Sequence, residues 1–238
     1  MEFIKPLLQS LNLTQAFQLI EQGGAVVVIL LLLSIFATTL IILKTIQVFW
    51  CGIGHKSGTE RAVQLWLQGR SKEAYSLVEK SSNPTRMALA HLMRGLSLEG
   101  LSKEELREDV QRVALKGLGH ARAFLRPLEA VVQIAPLLGL FGTVLGMIEA
   151  FQTLQNAGSE ADPAVLAGGI WVALLTTAVG LAVAIPVAFI LSWFEGRIEA
   201  ERLMMQDAIT SLMTGRKTQA KEKQTLAPVP NKAVSHAT

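Results

Sequence analysis

Three long apolar stretches, separated by polar segments, dominate the pattern of hydrophobic and polar positions along this chain. Residues 25–43 contain no charged side chain, and about 20 apolar residues are enough for a helix to cross a membrane. Residues 128–151 form a second stretch, and residues 164–194, again without a charge, form the third. As a helix the third would be ~46 Å long, so we expect it to tilt in the ~30 Å hydrocarbon core or to project beyond it. The pattern predicts three membrane-spanning helices.

The polar segment between the first two stretches carries signals for shorter helices. The spacing of apolar residues predicts helices over 61–67 and 71–80. Asn83 followed by Pro84 is typical of a helix start, with the asparagine as the N-cap and the proline at the first helical position. This start predicts a third helix through Met93.

A fourth helix of this segment begins at a capping-box pattern. Ser102 and Glu105 have the spacing at which the two side chains satisfy each other's free amide groups. We expect this helix to run into the second span, with a local disturbance near Gly117 and Gly119.

The basic residues are distributed unevenly between the polar segments. Residues 51–130 contain thirteen Lys or Arg and the tail after 194 contains seven, whereas residues 152–163 contain none. The positive-inside rule then places the large loop and the tail in the cytoplasm, with the N-terminus and the short turn outside.

The predicted organisation is an all-α membrane protein with three transmembrane helices and long cytoplasmic helical extensions. Its segments are an N-terminal periplasmic interfacial segment (1–22), the first transmembrane helix (23–50), a cytoplasmic helical domain (51–126), the second transmembrane helix (127–152), a short periplasmic turn (153–165), the third transmembrane helix (166–194), a cytoplasmic tail helix (195–213) and a disordered tail (214–238). Lys44 and Trp50, at the end of the first span, are predicted to anchor it at the membrane interface.

Composition supports a membrane protein and argues against an enzyme. Half of the residues are hydrophobic and only 17% are charged, against about a quarter in average proteins. Cys51 is the single cysteine, and the four histidines lack metal-ligand spacing. No motif for covalent catalysis or for nucleotide binding occurs. We therefore expect no enzymatic activity, cofactor, metal or nucleic-acid partner.

The second and third spans contain small residues at helical spacing. Gly142 and Gly146 have the small-x-x-x-small spacing that lets helix backbones approach closely in a membrane. With them on one side of the second span lie Gly139 and Ala150, and a similar ridge on the third span consists of Thr176, Gly180, Ala184 and Ala188. These spans are predicted to contact other helices.

Proline and threonine add polar groups at membrane depth. Pro136 and Pro186 each free a backbone carbonyl that needs another partner. Thr143, Thr176 and Thr177 place hydroxyls there, which either bond the carbonyl four residues earlier in their own helix or line a shared lumen between helices. Taken as a set they favour the lumen.

Acidic and basic side chains are absent from the middle of these two spans. Glu129 and Glu149 lie near the two ends of the second span, close to water. If the protein moves protons, a partner must therefore supply the group that titrates.

Two segments resemble the MotA/TolQ/ExbB proton-channel family. They are Ala-Pro-Leu-Leu-Gly-Leu-Phe-Gly-Thr-Val-Leu-Gly-Met at 135–147 and the run from Gly169 to Pro186. Three spans and a large cytoplasmic loop are more similar to ExbB or TolQ than to the four-span MotA. The resemblance implies a bacterial inner-membrane homo-oligomeric ring, typically a pentamer, around two copies of an ExbD-like single-span partner. The partner's membrane aspartate carries protons, and a TonB-like protein receives the resulting energy for outer-membrane transport.

The resemblance also implies roles for individual residues. Thr143 and Thr177 match the threonines that line the lumen near the partner's aspartate. The packing frame is matched by Pro136, Gly139, Gly142, Gly146, Gly180 and Pro186. Val172 stands where ExbB-like and TolQ-like chains usually have a glutamate, which puts in question a proton route through this chain's own carboxylate. Two alternatives remain: a TolQ-like subunit of the Tol-Pal envelope system, and a non-conducting membrane scaffold.

Overall fold

The computed structural model describes residues 13–54, 56–98, 102–157 and 163–215, and α-helix is the only regular secondary structure in these ranges. The helices are α1 Leu13–Cys51, α2 Lys56–Leu67, α3 Ser71–Val78, α4 Pro84–Ser97, α5 Lys103–Ala121, α6 Leu125–Ala157 and α7 Pro163–Thr214. Three of them are long and apolar enough to cross a membrane, over Gly24–Cys51, Leu125–Asn156 and Leu166–Thr214. The prediction of an all-α protein with three spans is confirmed.

Parts of four predicted segments lie outside the described residues. They are residues 1–12 of the interfacial segment, residues 55 and 99–101 of the cytoplasmic helical domain, residues 158–162 of the periplasmic turn and residues 216–238 of the tail. The described helices fall into two compact units. The first consists of the chain up to Phe49 with Arg122–Gly196, and the second of Trp50–Ala121 with the chain from Arg197 onward.

The first unit contains the apolar spans and has a small interior. Gly24 has a positive φ of 61° and interrupts α1, so the helix restarts there as the first span. The interior cluster joins all three spans through Val26, Leu30, Ala135 and Ala184. Most other large apolar side chains of this unit point outward, as expected for helices that face lipid or neighbouring protein rather than water.

Lys44 lies inside the first unit, although the sequence predicted it as an interface anchor. The side chain is fully buried. Its Nζ donates hydrogen bonds to the Ala123 carbonyl oxygen at 2.9 Å and to Gln47 Oε1 at 3.0 Å. The anchor prediction was wrong because the ammonium finds protein acceptors in place of water.

The expected disturbance near Gly117 and Gly119 was also misplaced. Helix α5 continues through both glycines to Ala121, and the chain instead breaks before Leu125, where Phe124 has a φ of 67°. Gly117 serves close packing, because a Cβ there would lie 3.1 Å from Pro84 Cβ. A glycine can allow such an approach without ending its helix.

The second unit packs α2 to α5 around the C-terminal part of α7. Its buried core is apolar and includes Ala62, Val78, Leu89, Leu92, Met93, Val110, Ala208 and Leu212.

Both predicted caps are confirmed. Asn83 Oδ1 accepts from the Arg86 amide at 3.1 Å, and Ser102 and Glu105 exchange hydrogen bonds of 3.0 and 3.1 Å.

A buried carboxylate ties three parts of the second unit together. Glu201 is fully buried in α7. Its Oε2 accepts from the Gly54 amide at 2.7 Å and its Oε1 accepts from Thr85 Oγ1 at 2.5 Å. Asn83 adds a bond from Nδ2 to the Gly52 carbonyl at 3.1 Å. The turn after α1, the start of α4 and helix α7 are therefore held by one polar network.

A second polar contact links α4 to α5 at the surface of this unit. His91 Nε2 contacts Asp109 Oδ2, and Arg112 Nη2 lies 2.6 Å from Asp109 Oδ1. The hydrogen bond from Arg112, followed by that from His91, holds the pKa of Asp109 below its usual value. Asp109 therefore stays ionised in the folded protein at neutral and mildly acidic pH.

We expect Thr85→Val to destabilise the second unit. Valine has nearly the shape of threonine but cannot donate, so Glu201 loses a hydrogen bond that contributes about 1.5–3 kcal/mol when the acceptor is charged. Thermal unfolding of the purified protein in detergent measures the effect. Thr210→Val is the matched control, because that exposed hydroxyl bonds the Gln206 carbonyl of its own helix. Equal melting temperatures for the two variants would contradict a stabilising role for Glu201.

Candidate functional site

Helices α6 and α7 of the first unit meet along a line of small residues, here called the glycine seam. It consists of Ala135, Gly139, Gly142, Gly146 and Ala150 on α6 and of Gly169, Ala173, Thr176 and Gly180 on α7. Ala150 faces Gly169 at one end and Ala135 faces Gly180 at the other. Because residue numbers rise along one helix as they fall along the other, the two helices are antiparallel.

The seam brings the two backbones into direct contact. A Cβ atom on Gly142 would lie 2.5 Å from Thr176 Oγ1, which is inside van der Waals contact. A Cβ on Gly139 would lie 3.0 Å from the Thr176 carbonyl oxygen and 3.0 Å from Thr177 Cα. Since lipid is as apolar as a leucine side chain, this close packing and polar bonds must hold the helices together.

Two threonine hydroxyls of α7 converge on one carbonyl of α6. Thr176 Oγ1 shares its one hydrogen between the Gly139 oxygen at 3.2 Å and the Ala173 oxygen of its own helix at 2.7 Å. Thr177 Oγ1 donates to the same Gly139 oxygen at 3.1 Å. The absence of a side chain on Gly139 allows its carbonyl to be reached from the facing helix.

The three threonines considered from the sequence differ in their surroundings. Thr176 is buried within the seam, whereas Thr177 is partly exposed. Thr143 is also partly exposed, and its Oγ1 donates to the Leu140 carbonyl of its own helix at 2.6 Å. From the sequence, each hydroxyl was expected either to bond a carbonyl of its own helix or to line a lumen. The bonds from Thr176 and Thr177 to the Gly139 carbonyl of the facing helix were not foreseen. The small residues around Gly139 are the signal from which it could have been inferred.

The Thr177 hydroxyl can accept a further hydrogen bond without changing its existing one. It can donate to a new partner only if its hydrogen leaves the Gly139 carbonyl. A hydroxyl has one hydrogen and two lone pairs, and the hydrogen of Thr177 is directed at Gly139. A protonated carboxyl group could donate to the remaining lone pair without disturbing the seam. An ionised carboxylate would take the hydrogen and break a bond between helices, at a cost of about 0.6 kcal/mol.

The remaining candidate residues lie along the same two helices. Val172 is partly exposed and precedes Thr176 by one turn of α7. Pro136 and Pro186 lie inside continuous helices. Residues 130–148 and 164–194 carry no charged side chain. Among the described residues, no cluster of three His, Cys, Asp or Glu side chains could hold a metal ion.

Comparison with known proteins places this seam within a described family. The profile of the MotA/TolQ/ExbB proton channel family matches residues 80–207. A putative biopolymer transport protein ExbB homolog of Methanothermobacter thermautotrophicus is 34% identical over 134 residues, which cover 56% of this chain and 46% of that protein. Biopolymer transport protein exbB1 of Vibrio cholerae is 31% identical over 71% of this chain and 74% of its own length.

A relative from another system also matches. The Tol-Pal system protein TolQ of Haemophilus influenzae is 40% identical over 73 residues, which cover 31% of this chain and 32% of that protein. The resemblance to the family inferred from the two span motifs is confirmed by the profile and by these relatives.

We expect Gly142→Ala to destabilise the first unit, because the new methyl group would clash with the stiff Thr176 side chain. Overpacking of this kind costs about 1–3 kcal/mol, which outweighs the gain in helix propensity from replacing glycine. Gly168→Ala is the matched control, since a Cβ there meets no atom within 4 Å. Thermal unfolding in detergent should give a lower melting temperature for Gly142→Ala only. A similar result for both variants would show that the seam is not tightly packed.

Proposed function

Because this chain belongs to the MotA/TolQ/ExbB proton channel family, we propose that it is an ExbB-like subunit of a motor that uses the proton-motive force. In this proposal the chain forms a homo-oligomeric ring, a pentamer, in the bacterial inner membrane. Its N-terminus is periplasmic and its C-terminus cytoplasmic. The ring encloses an ExbD-like single-span partner and energises outer-membrane transport through a TonB-like protein.

The observation that carries the proposal is a polar site without an ionisable group. The seam offers two hydroxyls and the Gly139 carbonyl, while residues 130–148 and 164–194 carry no charge. Such a site can bind a carboxyl group in either protonation state but cannot itself hold a transported proton. A partner with a membrane aspartate would complete it.

The hydrogen-bond geometry suggests how protonation is coupled to movement. A protonated partner carboxyl donates to the free lone pair of Thr177, and the bond to Gly139 remains. After the proton leaves, the carboxylate attracts the Thr177 hydrogen and competes with the Gly139 carbonyl. The two protonation states thus favour different hydroxyl orientations, and a gradient that alternates them can drive movement of the partner relative to the ring.

The outer faces of the spans are consistent with a ring. Large apolar side chains remain exposed on both helices of the seam, among them Leu137, Leu140, Phe141, Ile148, Trp171, Leu174, Ile185 and Phe189. In a membrane these surfaces meet either lipid or other copies of the chain. Five copies would cover part of them and would surround the partner with the polar groups of α6 and α7.

A TolQ-like role is the second candidate, and the match to the Haemophilus influenzae protein favours it. The outer domain of the single-span partner distinguishes the two, since it would engage a TonB-type or a Tol-type periplasmic protein.

A non-conducting scaffold is the third candidate. Val172, in place of the family's glutamate, favours it, and a lack of proton-dependent activity in reconstituted vesicles would support it.

We expect Thr177→Val to impair coupling on the order of tenfold while leaving assembly intact. The valine keeps the shape but removes the group that contacts the partner's carboxyl, which corresponds to one hydrogen bond. Energy-dependent outer-membrane transport is measured in cells that carry the variant as their only copy. Native mass spectrometry of the purified complex measures the number of chains and partners.

The control for this variant is Thr39→Val, because the Thr39 hydroxyl lies in the first span and bonds the Ile35 carbonyl of its own helix. It should retain full transport. Full transport by Thr177→Val would contradict a lumen role for Thr177, and a ring without any single-span partner would contradict the motor.

We expect Val172→Glu to assemble and to support transport, because the position is partly exposed and the family usually has a carboxylate there. Ala173→Glu is the matched control. Ala173 is buried in the seam against Gly146, so the same charge one residue later should prevent assembly. Native mass spectrometry distinguishes the two variants. Loss of the ring in Val172→Glu would show that this position has repacked and would favour the scaffold.

A further inference from the structure

The second unit contains an open cavity that the proposed motor does not use. Its volume is about 340 Å³, within the range of roughly 300–1,000 Å³ that is typical of ligand sites. Helices α2, α3 and α4 supply the lining residues, which are Trp66, Ser71, Lys72, Tyr75, Met93, Arg94 and Ser97. We call this cavity the Arg94 pocket.

The floor of the Arg94 pocket is apolar and aromatic. Met93 is fully buried beneath it, and the rings of Trp66 and Tyr75 remain partly exposed at its sides. Aromatic rings gain most from burial when an apolar group covers them. The pocket therefore favours a bulky apolar side chain.

The rim of the pocket is cationic, and its arginine is held in place. Arg94 Nη2 donates to the Tyr75 hydroxyl at 2.6 Å, and Arg94 Cζ lies 5.9 Å from the centre of the Tyr75 ring. Lys72 is exposed on the rim. A guanidinium that is already positioned loses less conformational freedom when it binds an anion.

One acidic side chain near the rim, Glu79, interacts electrostatically with Arg94. The lining contains no Asp or Glu. Glu73, next to Lys72 in α3, is bonded through both oxygens to Arg70, at 2.8 and 2.5 Å. Arg94 and Lys72 thus outnumber the one carboxylate, Glu79, that interacts with the rim, so an incoming carboxylate meets a net positive charge.

We propose that the Arg94 pocket binds an acidic segment of a partner protein, which inserts one bulky apolar side chain between Trp66 and Tyr75. Carboxylates on either side of that anchor pair with Arg94 and Lys72. The chain's own residues 216–238 do not fit this description. They contain five Lys or Arg and one Glu, so their charge has the same sign as the rim.

Selection of short random peptides on phage tests the proposal. The target is the full chain in nanodiscs of phosphatidylcholine, and one enriched peptide is then synthesised with a fluorescent label for anisotropy titration. We expect enriched sequences to carry acidic residues around a Trp, Phe or Leu. Arg94→Glu should weaken binding of the labelled peptide about tenfold or more, because an attractive pair becomes a repulsive one.

Three further measurements separate this effect from misfolding and from general charge. Lys72→Glu should also weaken binding of the labelled peptide, and it leaves the hydrogen bond from Arg94 to the Tyr75 hydroxyl in place. Lys80→Glu reverses an exposed charge of the same unit outside the pocket and should bind like the wild type. A peptide whose acidic residues are replaced by lysine should regain binding to Arg94→Glu.

Three outcomes would overturn the proposal. One is enrichment of peptides without acidic residues, and another is equal binding of the labelled peptide to the wild type and Arg94→Glu. The third is a failure to enrich any peptide together with Arg94-dependent binding of phosphatidylglycerol vesicles, which would make the pocket a lipid site.

Discussion

The approach of two helix backbones at Gly139 is the contact on which the rest of the membrane-spanning unit depends. Because no side chain separates α6 from α7 there, the Gly139 carbonyl is reached by the hydroxyls of Thr176 and Thr177. The same approach leaves Thr177 partly exposed with its hydrogen already committed. The Gly139 carbonyl and the Thr177 hydroxyl thus both hold the two helices together and form the polar site. A change that separates the helices would therefore also alter the site.

The two units are stabilised by different physical terms. Water drives apolar side chains together in the second unit, where Leu89, Leu92 and Met93 form a buried core. Lipid supplies no such drive, so the first unit relies on close packing of small residues and on hydrogen bonds between helices. A buried carboxylate is tolerated in the second unit because Gly54 and Thr85 both donate to it.

Features encoded locally could be predicted from the sequence, and features that join distant residues could not. The three spans, the Asn83 cap and the capping box follow from patterns a few residues long. The bonds from Thr177 to Gly139 and from the Gly54 amide to Glu201 join residues 38 and 147 positions apart, and no local pattern specifies them. The role of Gly117 could not be predicted for the same reason. A glycine in a helical sequence is compatible either with a break in the helix or with close packing against another helix.

The burial of Lys44 has a consequence for the order in which the protein is built. Its acceptor at Ala123 lies 79 residues later in the chain, so the bond cannot form while the first span alone has entered the membrane. Until residue 123 is in place, the ammonium relies on water and on Gln47, because a charged group without enough partners is costly in lipid. The same ammonium is therefore hydrated while the first span is alone and is bonded to the Ala123 carbonyl in the finished protein.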